Sequence, residues 1–166
     1  MHLTQLRCPS LALRLKPSTR QPVRYTIALL LALTASLKIA STFQRLPVLL
    51  TQDPLFTFLS LRAMMWGAAF MELILLYFVL RWPHKREVYL SVLWVCLIFV
   101  AYKTALTLLG YTGPCKCLGN VDEWLHLSTA TIQIITSCII AYIGLASTLI
   151  YSSLPVQNPY NQAAKR

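Results

Sequence analysis

The sequence predicts an all-α protein, a four-helix transmembrane bundle with a Cys-x-Cys loop between helices 3 and 4. Of its 166 residues, 57% are hydrophobic and only 12% are charged, whereas charged residues make up about a quarter of a soluble domain. The apolar residues fall into four long runs, each near or above the roughly 20 residues that cross a bilayer. The runs lack strand-like alternation, so helices are the expected spanning structure.

The chain divides into a basic tail, a membrane domain and a short C-terminal tail. Residues 1–24 carry five Lys or Arg, no acidic residue and three prolines, which predicts a cytoplasmic tail rather than a continuous helix. The four-helix membrane domain is expected over residues 25–153, with spans at 25–41, 55–80, 88–109 and 125–151. Residues 154–166 form the second cytoplasmic tail.

The distribution of basic residues predicts the orientation in the bilayer. The formal net charge is +10, but no basic run interleaved with aromatic residues suggests a nucleic-acid partner. The two tails and the turn between spans 2 and 3 hold ten Lys or Arg, whereas the other two loops hold only Arg45 and Lys116. Cytoplasmic loops are enriched in Lys and Arg. Both termini are therefore expected in the cytoplasm, and the loop between spans 3 and 4 is expected outside.

That outer loop contains Cys115 and Cys117 with Lys116 between them. Gly113 and Pro114 indicate a turn, and a neighbouring cation favours the reactive thiolate. A disulfide closing so small a ring adds little stability, and strain makes it easier to reduce. The pair is therefore predicted to be redox-active and catalytic in thiol-disulfide exchange.

Two alternatives to redox chemistry exist for this pair. The thiols could form half of a metal site with His126, Asp122 or Glu123, but that spacing matches no zinc motif, and no metal is predicted. The thiols could also be incidental and free.

Four ionisable residues lie within the spans, where such residues usually mark function. Helix direction places Lys38, Arg62 and Lys103 in the outer part of the membrane, beneath the cysteine loop. Glu72 is nearer the middle and is the natural counter-charge for Arg62 or Lys103. The four predict a supporting polar pocket that could lower a thiol pKa or hold an anionic or quinone-like ligand. Snorkelling of each cation to the headgroups is the alternative.

Two further cysteines, Cys96 and Cys138, lie at similar depth in spans 3 and 4 and form a candidate second thiol pair. Free cysteine also behaves as a small buried hydrophobe, so both interpretations remain open. The polar stripe of Gln133, Thr136 and Ser137 in span 4 is typical of interhelical hydrogen bonding.

The order of three motifs resembles the MauE/DoxX family of redox-associated membrane proteins, named in part after methylamine utilisation. The motifs are Ser36-Leu37-Lys38, Met71-Glu72-Leu73 and Cys115-Lys116-Cys117-Leu118-Gly119. The resemblance implies a bacterial inner-membrane protein that supports disulfide formation or electron supply, for example in methylamine metabolism. It also implies a periplasmic partner, such as a thioredoxin-like or client protein.

Two classes of function are consistent with these features. The first is a thiol-disulfide oxidoreductase that presents Cys115 and Cys117 on the periplasmic side, with a quinone as a candidate cofactor. The second is a non-enzymatic membrane scaffold or assembly subunit whose outer loop binds a partner.

The predicted topology can be tested with reporter fusions. Fusions after Arg86 and at the C-terminus should report cytoplasm, and a fusion at Asn120 should report the outer side, because Lys and Arg are retained inside. A cytoplasmic signal at Asn120 would contradict both the topology and the oxidising environment expected for the cysteine loop.

Overall fold

A computed structural model describes residues 17–43, 50, 53, 55–110 and 128–154. It contains four α-helices and, among these residues, no β-strand: α1 (Pro17–Thr42), α2 (Leu61–Arg81), α3 (Arg86–Leu108) and α4 (Thr129–Ser153). All four are long and apolar enough to cross a membrane. The predicted all-α fold with four spanning helices is confirmed, and it is the fold of a multi-pass membrane protein. The Cys-x-Cys loop lies in residues 111–127, outside the described residues.

Helix α1 begins at Pro17, eight residues before the start predicted from the sequence. Pro17 and Pro22 therefore do not prevent a continuous helix. Proline is well tolerated in the first helical turn because its missing N–H has no intrahelical acceptor there, and Pro22 removes only one later hydrogen bond. A tertiary contact stabilises this extension, since Arg20 Nη2 donates a hydrogen bond to the Ser153 carbonyl at 2.7 Å.

Helices α2 and α4 begin later than predicted, each after a serine N-cap. The Ser60 hydroxyl accepts a hydrogen bond from Ala63 N at 3.3 Å, and the Ser128 hydroxyl accepts one from Thr131 N at 3.3 Å. Such caps satisfy backbone donors that the first helical turn leaves free. The apolar residues just before Ser60 therefore belong to the connection between α1 and α2.

The helices form two antiparallel hairpins packed side by side. In the α1–α2 hairpin, Phe43 stacks edge-on against Trp66 while Lys38 pairs with Glu72, so residue numbers fall along α1 as they rise along α2. The same relation joins α3 to α4. Packing is most extensive within each hairpin and smaller between α2 and α3 and between α1 and α4.

The interior of the bundle divides into an apolar half and a polar half. The apolar half lies where α1 and α3 begin, and its core includes Ile27, Leu31, Val79, Val92 and Ile143. The polar half lies at the opposite end of the bundle, where α1 and α3 end, and it buries charged and hydroxyl side chains that include Lys38, Glu72 and Thr136. Helix α3 ends and helix α4 begins at this polar end.

Asp53 ties the connection between α1 and α2 to helix α3. This residue is fully buried, and its Oδ1 accepts hydrogen bonds from Leu55 N at 2.8 Å and Phe56 N at 3.0 Å. Its Oδ2 accepts a hydrogen bond from the Tyr102 hydroxyl at 2.5 Å. The carboxylate thereby shapes a turn and attaches it to the bundle.

We expect Asp53→Ala to lower the thermal unfolding temperature in detergent more than Ser60→Ala does. Hydrogen bonds to a charged group contribute about 1.5–3 kcal/mol, whereas an exposed serine cap contributes about 1 kcal/mol. Tyr102→Phe, which removes one of the three bonds to the carboxylate, should have an intermediate effect. Equal unfolding temperatures for Asp53→Ala and Ser60→Ala would show that the hydrogen bonds of Asp53, which attach this connection to α3, are dispensable.

Candidate functional site

The candidate site is centred on a buried ion pair between Lys38 of α1 and Glu72 of α2. Lys38 Nζ donates a hydrogen bond to Glu72 Oε1, and each residue is only 4% exposed. It is the one ion pair formed among the described residues. Ionisable groups inside a membrane protein are costly and usually functional, so this pair is the strongest candidate for a working site.

The antiparallel hairpin explains how these two side chains meet. Lys38 lies one turn before the end of α1, and Glu72 lies near the middle of α2. Helical side chains lean towards the N-terminus of their own helix. In an antiparallel pair they therefore lean in opposite directions, so Lys38 reaches deeper into the bundle and Glu72 reaches towards the polar end.

The other two helices complete the surroundings of the pair. Lys38 Nζ lies 5.4 Å from the ring centroid of Phe99 in α3, within the range of a cation–π interaction. Thr136 of α4 lines the same central cavity, which has a volume of about 40 Å³. Residues from all four helices thus surround one charged centre.

The second carboxylate oxygen of Glu72 is buried and has no hydrogen-bond partner among the described residues. The hydroxyl of Thr34, one turn from Lys38 on α1, donates instead to the carbonyls of Leu30 and Leu31. The central cavity exceeds the 10–15 Å³ that a water molecule needs. A water or a small ligand with a hydrogen-bond donor would fit beside Glu72 Oε2.

A larger cleft opens between α2 and α3 and reaches the same lysine. It has a volume of about 500 Å³, and Lys38 and Phe99 line both this cleft and the central cavity. The remaining lining is almost entirely apolar and includes Met64, Ile98 and Ala105. The limited packing between α2 and α3 leaves this space beside the ion pair.

Lys103 makes a separate link between α3 and α4. Its Nζ donates to the Gln133 carbonyl at 2.9 Å and to the Ser137 hydroxyl at 2.5 Å. The interhelical hydrogen bonding predicted for the polar stripe of α4 is confirmed at Ser137, whereas Gln133 contributes its backbone carbonyl and not its side chain. Lys103 therefore supports the bundle near the polar end without joining the Lys38–Glu72 pair.

The partner predicted for Glu72 was wrong. The sequence favoured Arg62 or Lys103, but the carboxylate pairs with Lys38. Arg62 lies in the first turn of α2 with an exposed side chain, where a long cation can reach the headgroup region. Of the four predicted pocket residues, the structure brings together Lys38 and Glu72 and places Arg62 and Lys103 elsewhere.

The cysteines do not form a second pair in the described structure. Cys96 and Cys138 are both free thiols; Cys96 lines the central cavity, whereas Cys138 is exposed on the outer surface of α4. The two residues share a depth but not a face, which sequence position alone does not reveal. Cys115 and Cys117 lie outside the described residues. No group of three potential metal ligands occurs within the described part of the chain.

Sequence reasoning missed Asp53, Thr34 and Phe99. Asp53 precedes Pro54, and an Asp-Pro pair between two apolar runs is a turn signal. Thr34 lies four residues before Lys38 and therefore on the same helix face. Phe99 has no comparable signal, because an aromatic residue in an apolar run looks the same whether it faces lipid or a lysine.

Comparison of the chain with protein-family models, with curated proteins and with solved structures finds no match. The resemblance to the MauE/DoxX family stays a prediction from the three motifs.

Single substitutions in the ion pair should be far more damaging than the double substitution. Removing one partner of a buried pair typically costs about 3–5 kcal/mol, because the other charge stays buried and unpaired. We expect Lys38→Met and Glu72→Gln each to lower the unfolding temperature strongly. Lys38→Met combined with Glu72→Met should recover most of that loss, because apolar replacements of such pairs are often neutral.

Arg62→Gln is the matched control, since it removes an exposed cation from the same end of the bundle and should have little effect. Unfolding temperatures in detergent provide the measurement. If Glu72→Gln behaved like Arg62→Gln, the ion pair would be energetically unimportant.

Proposed function

We propose that this chain is a bacterial inner-membrane protein that carries out thiol-disulfide exchange, or supplies electrons, through Cys115 and Cys117. The observation that carries the proposal is the buried Lys38–Glu72 pair, a charged centre built from all four helices. A bundle that served only as an anchor would have no need to bury such a pair.

The described residues on either side of the cysteine loop support the proposal. The chain leaves α3 after Gly110, where φ is +69°, and enters α4 at Ser128. Both points lie at the polar end of the bundle, beyond Lys38 and Lys103. A loop joining them would start and finish at the end of the bundle that buries the Lys38–Glu72 pair.

The proposed exchange needs only the two thiols and a partner disulfide. The thiolate of one cysteine attacks a sulfur of the partner's disulfide, which forms a mixed disulfide and releases one partner thiolate. The second cysteine thiolate attacks the mixed disulfide, which closes the Cys115–Cys117 bond and releases the other partner thiolate. Two electrons pass to the partner, and the reverse sequence oxidises it. Lys116 would favour the attacking thiolate.

The cleft between α2 and α3 would suit a membrane-soluble electron carrier. Its volume of about 500 Å³ lies within the usual range of ligand pockets, and its walls are apolar. The Lys38–Glu72 pair at its inner end is neutral overall, which favours a neutral ligand with a hydrogen-bond acceptor over an anion. A quinone has this chemistry.

A non-enzymatic scaffold is the second candidate, and one surface favours it. Phe56 and Phe58, in the connection between α1 and α2, are exposed and stack edge-on with ring centroids 6.0 Å apart. Aromatic side chains at such a position are typical of binding surfaces for partner proteins.

The redox proposal predicts that Cys115 and Cys117 interconvert between dithiol and disulfide. We would replace Cys8, Cys96 and Cys138 by serine, poise membranes at a series of glutathione potentials and label thiols with a mass-shifting maleimide. The expected result is a step of two labelled thiols at one potential, because a strained small-ring disulfide is readily reduced.

Single variants provide the control for the exchange step. Cys115→Ser or Cys117→Ser leaves one thiol, which should trap a mixed disulfide with a periplasmic protein. The redox proposal would be wrong if both thiols stayed labelled under strong oxidant, or if the pair stayed unlabelled at every potential. Either result would favour the scaffold.

A further inference from the structure

Three arginines converge at the end of the bundle opposite the Lys38–Glu72 pair. Arg20 of α1 donates a hydrogen bond from Nη2 to the Ser153 carbonyl at 2.7 Å. The guanidinium carbon of Arg86, the first residue of α3, lies 3.9 Å from the ring centroid of Tyr151. Ser153 and Tyr151 belong to the last turn of α4, so the two arginines meet at the same helix end.

Arg24 joins this group from the next turn of α1. It follows Arg20 by four residues and therefore lies on the same helix face. We refer to Arg20, Arg24 and Arg86 as the arginine rim.

Each arginine of the rim has a hydrogen-bond donor without a partner. The Nε atoms of all three are buried, and none has a hydrogen-bond acceptor among the described residues. Nearly all buried polar groups in proteins are paired, so three such donors within one cluster are unusual. Their fixed planar geometry suits a ligand with several oxygen acceptors.

The described part of the protein supplies almost no negative charge at this end. The chain has five acidic residues. Asp53 and Glu72 are bonded elsewhere, Asp122 and Glu123 lie outside the described residues, and Glu87 has an exposed side chain. The residues before Pro17 and after Leu154 include no Asp or Glu, and no described carboxylate forms an ion pair with the rim.

We infer that the arginine rim binds the phosphate of an anionic phospholipid headgroup where α1, α3 and α4 meet. Arginine binds phosphate through paired, charge-assisted hydrogen bonds, and the three guanidinium groups belong to half-buried side chains. The rim lies at the ends of spanning helices, at the level of headgroups, and basic pockets between such helices bind anionic lipids. Exposed Tyr25 lies beside Arg24, with its ring centroid 4.6 Å from the guanidinium, and tyrosine is enriched at this depth. This inference is independent of the thiol chemistry.

The first test uses the unmodified protein in nanodiscs of phosphatidylcholine, with and without phosphatidylglycerol. Native mass spectrometry should detect retained phosphatidylglycerol, and the unfolding temperature should rise with its content. Inorganic phosphate added to phosphatidylcholine nanodiscs should have no such effect. Stabilisation by phosphate equal to that by the lipid would assign the site to a soluble anion, and no preference for phosphatidylglycerol would overturn the inference.

The second test compares substitutions in the rim with a matched control. Arg20→Gln, Arg24→Gln and Arg86→Gln should each weaken phosphatidylglycerol retention, on the order of tenfold for each lost charge-assisted contact. Arg81→Gln removes an exposed arginine from the same end of the bundle and should leave retention unchanged. If Arg81→Gln weakened phosphatidylglycerol retention as much as the rim substitutions do, the lipid would be held by general charge attraction and not by a specific site.

Arg86→Lys distinguishes a built site from attraction by net charge, and it avoids the folding risk of a charge deletion. Lysine keeps the positive charge but has neither the Nε donor nor the planar guanidinium. We expect Arg86→Lys to lose most of the retention that Arg86→Gln loses. Full retention by Arg86→Lys would overturn the inference, because positive charge alone would then account for the retention.

Discussion

The structure depends above all on the ion pair between Lys38 and Glu72. Burying two charges in an apolar bundle is costly, and the cost is offset only when the charges meet in good geometry. The pair therefore favours the one register of α1 against α2 in which Lys38 and Glu72 are adjacent. That register also sets where Phe99 and the central cavity lie. It likewise sets the inner end of the cleft between α2 and α3. A slip of one helical turn would leave both charges unpaired.

The two ends of the bundle are stabilised by different interactions. The apolar half packs closely around residues such as Leu31, Val79 and Val92, and this half supplies most of the hydrophobic packing. The polar half contains the ion pair, the Lys103 link and the Asp53 tether. Internal polar contacts fix the helix arrangement there, while the incomplete packing between α2 and α3 leaves a cleft. A cleft beside a charged centre is a suitable place for a ligand, whereas a filled apolar core is not.

The basic residues serve different purposes at different depths. Lys38 is neutralised by a carboxylate within the protein, and Lys103 is bonded to oxygen atoms of α4. The arginines at the opposite end have no described carboxylate partner, although their Nε atoms are buried. The headgroup region of a bilayer offers phosphate where the described part of the protein offers only the exposed Glu87 as an acid. The strong positive balance of the chain is thus best understood by location, because each depth in the membrane provides a different counter-charge.

The sequence by itself determined the fold class and the number of helices, and it singled out Lys38, Glu72 and Lys103 as ionisable residues within the spans. Four apolar runs of spanning length permit no other backbone structure in lipid, and ionisable residues stand out within such runs. Helix ends were less predictable: Pro17 and Pro22 signal a break in isolation, but the contact between Arg20 and Ser153 stabilises the helix across them. Only the tertiary structure decided that Glu72 pairs with Lys38, that Arg62 is exposed and that Cys96 and Cys138 face different directions. These outcomes depend on the rotation of each helix about its own axis, which packing between helices sets and which hydropathy does not encode.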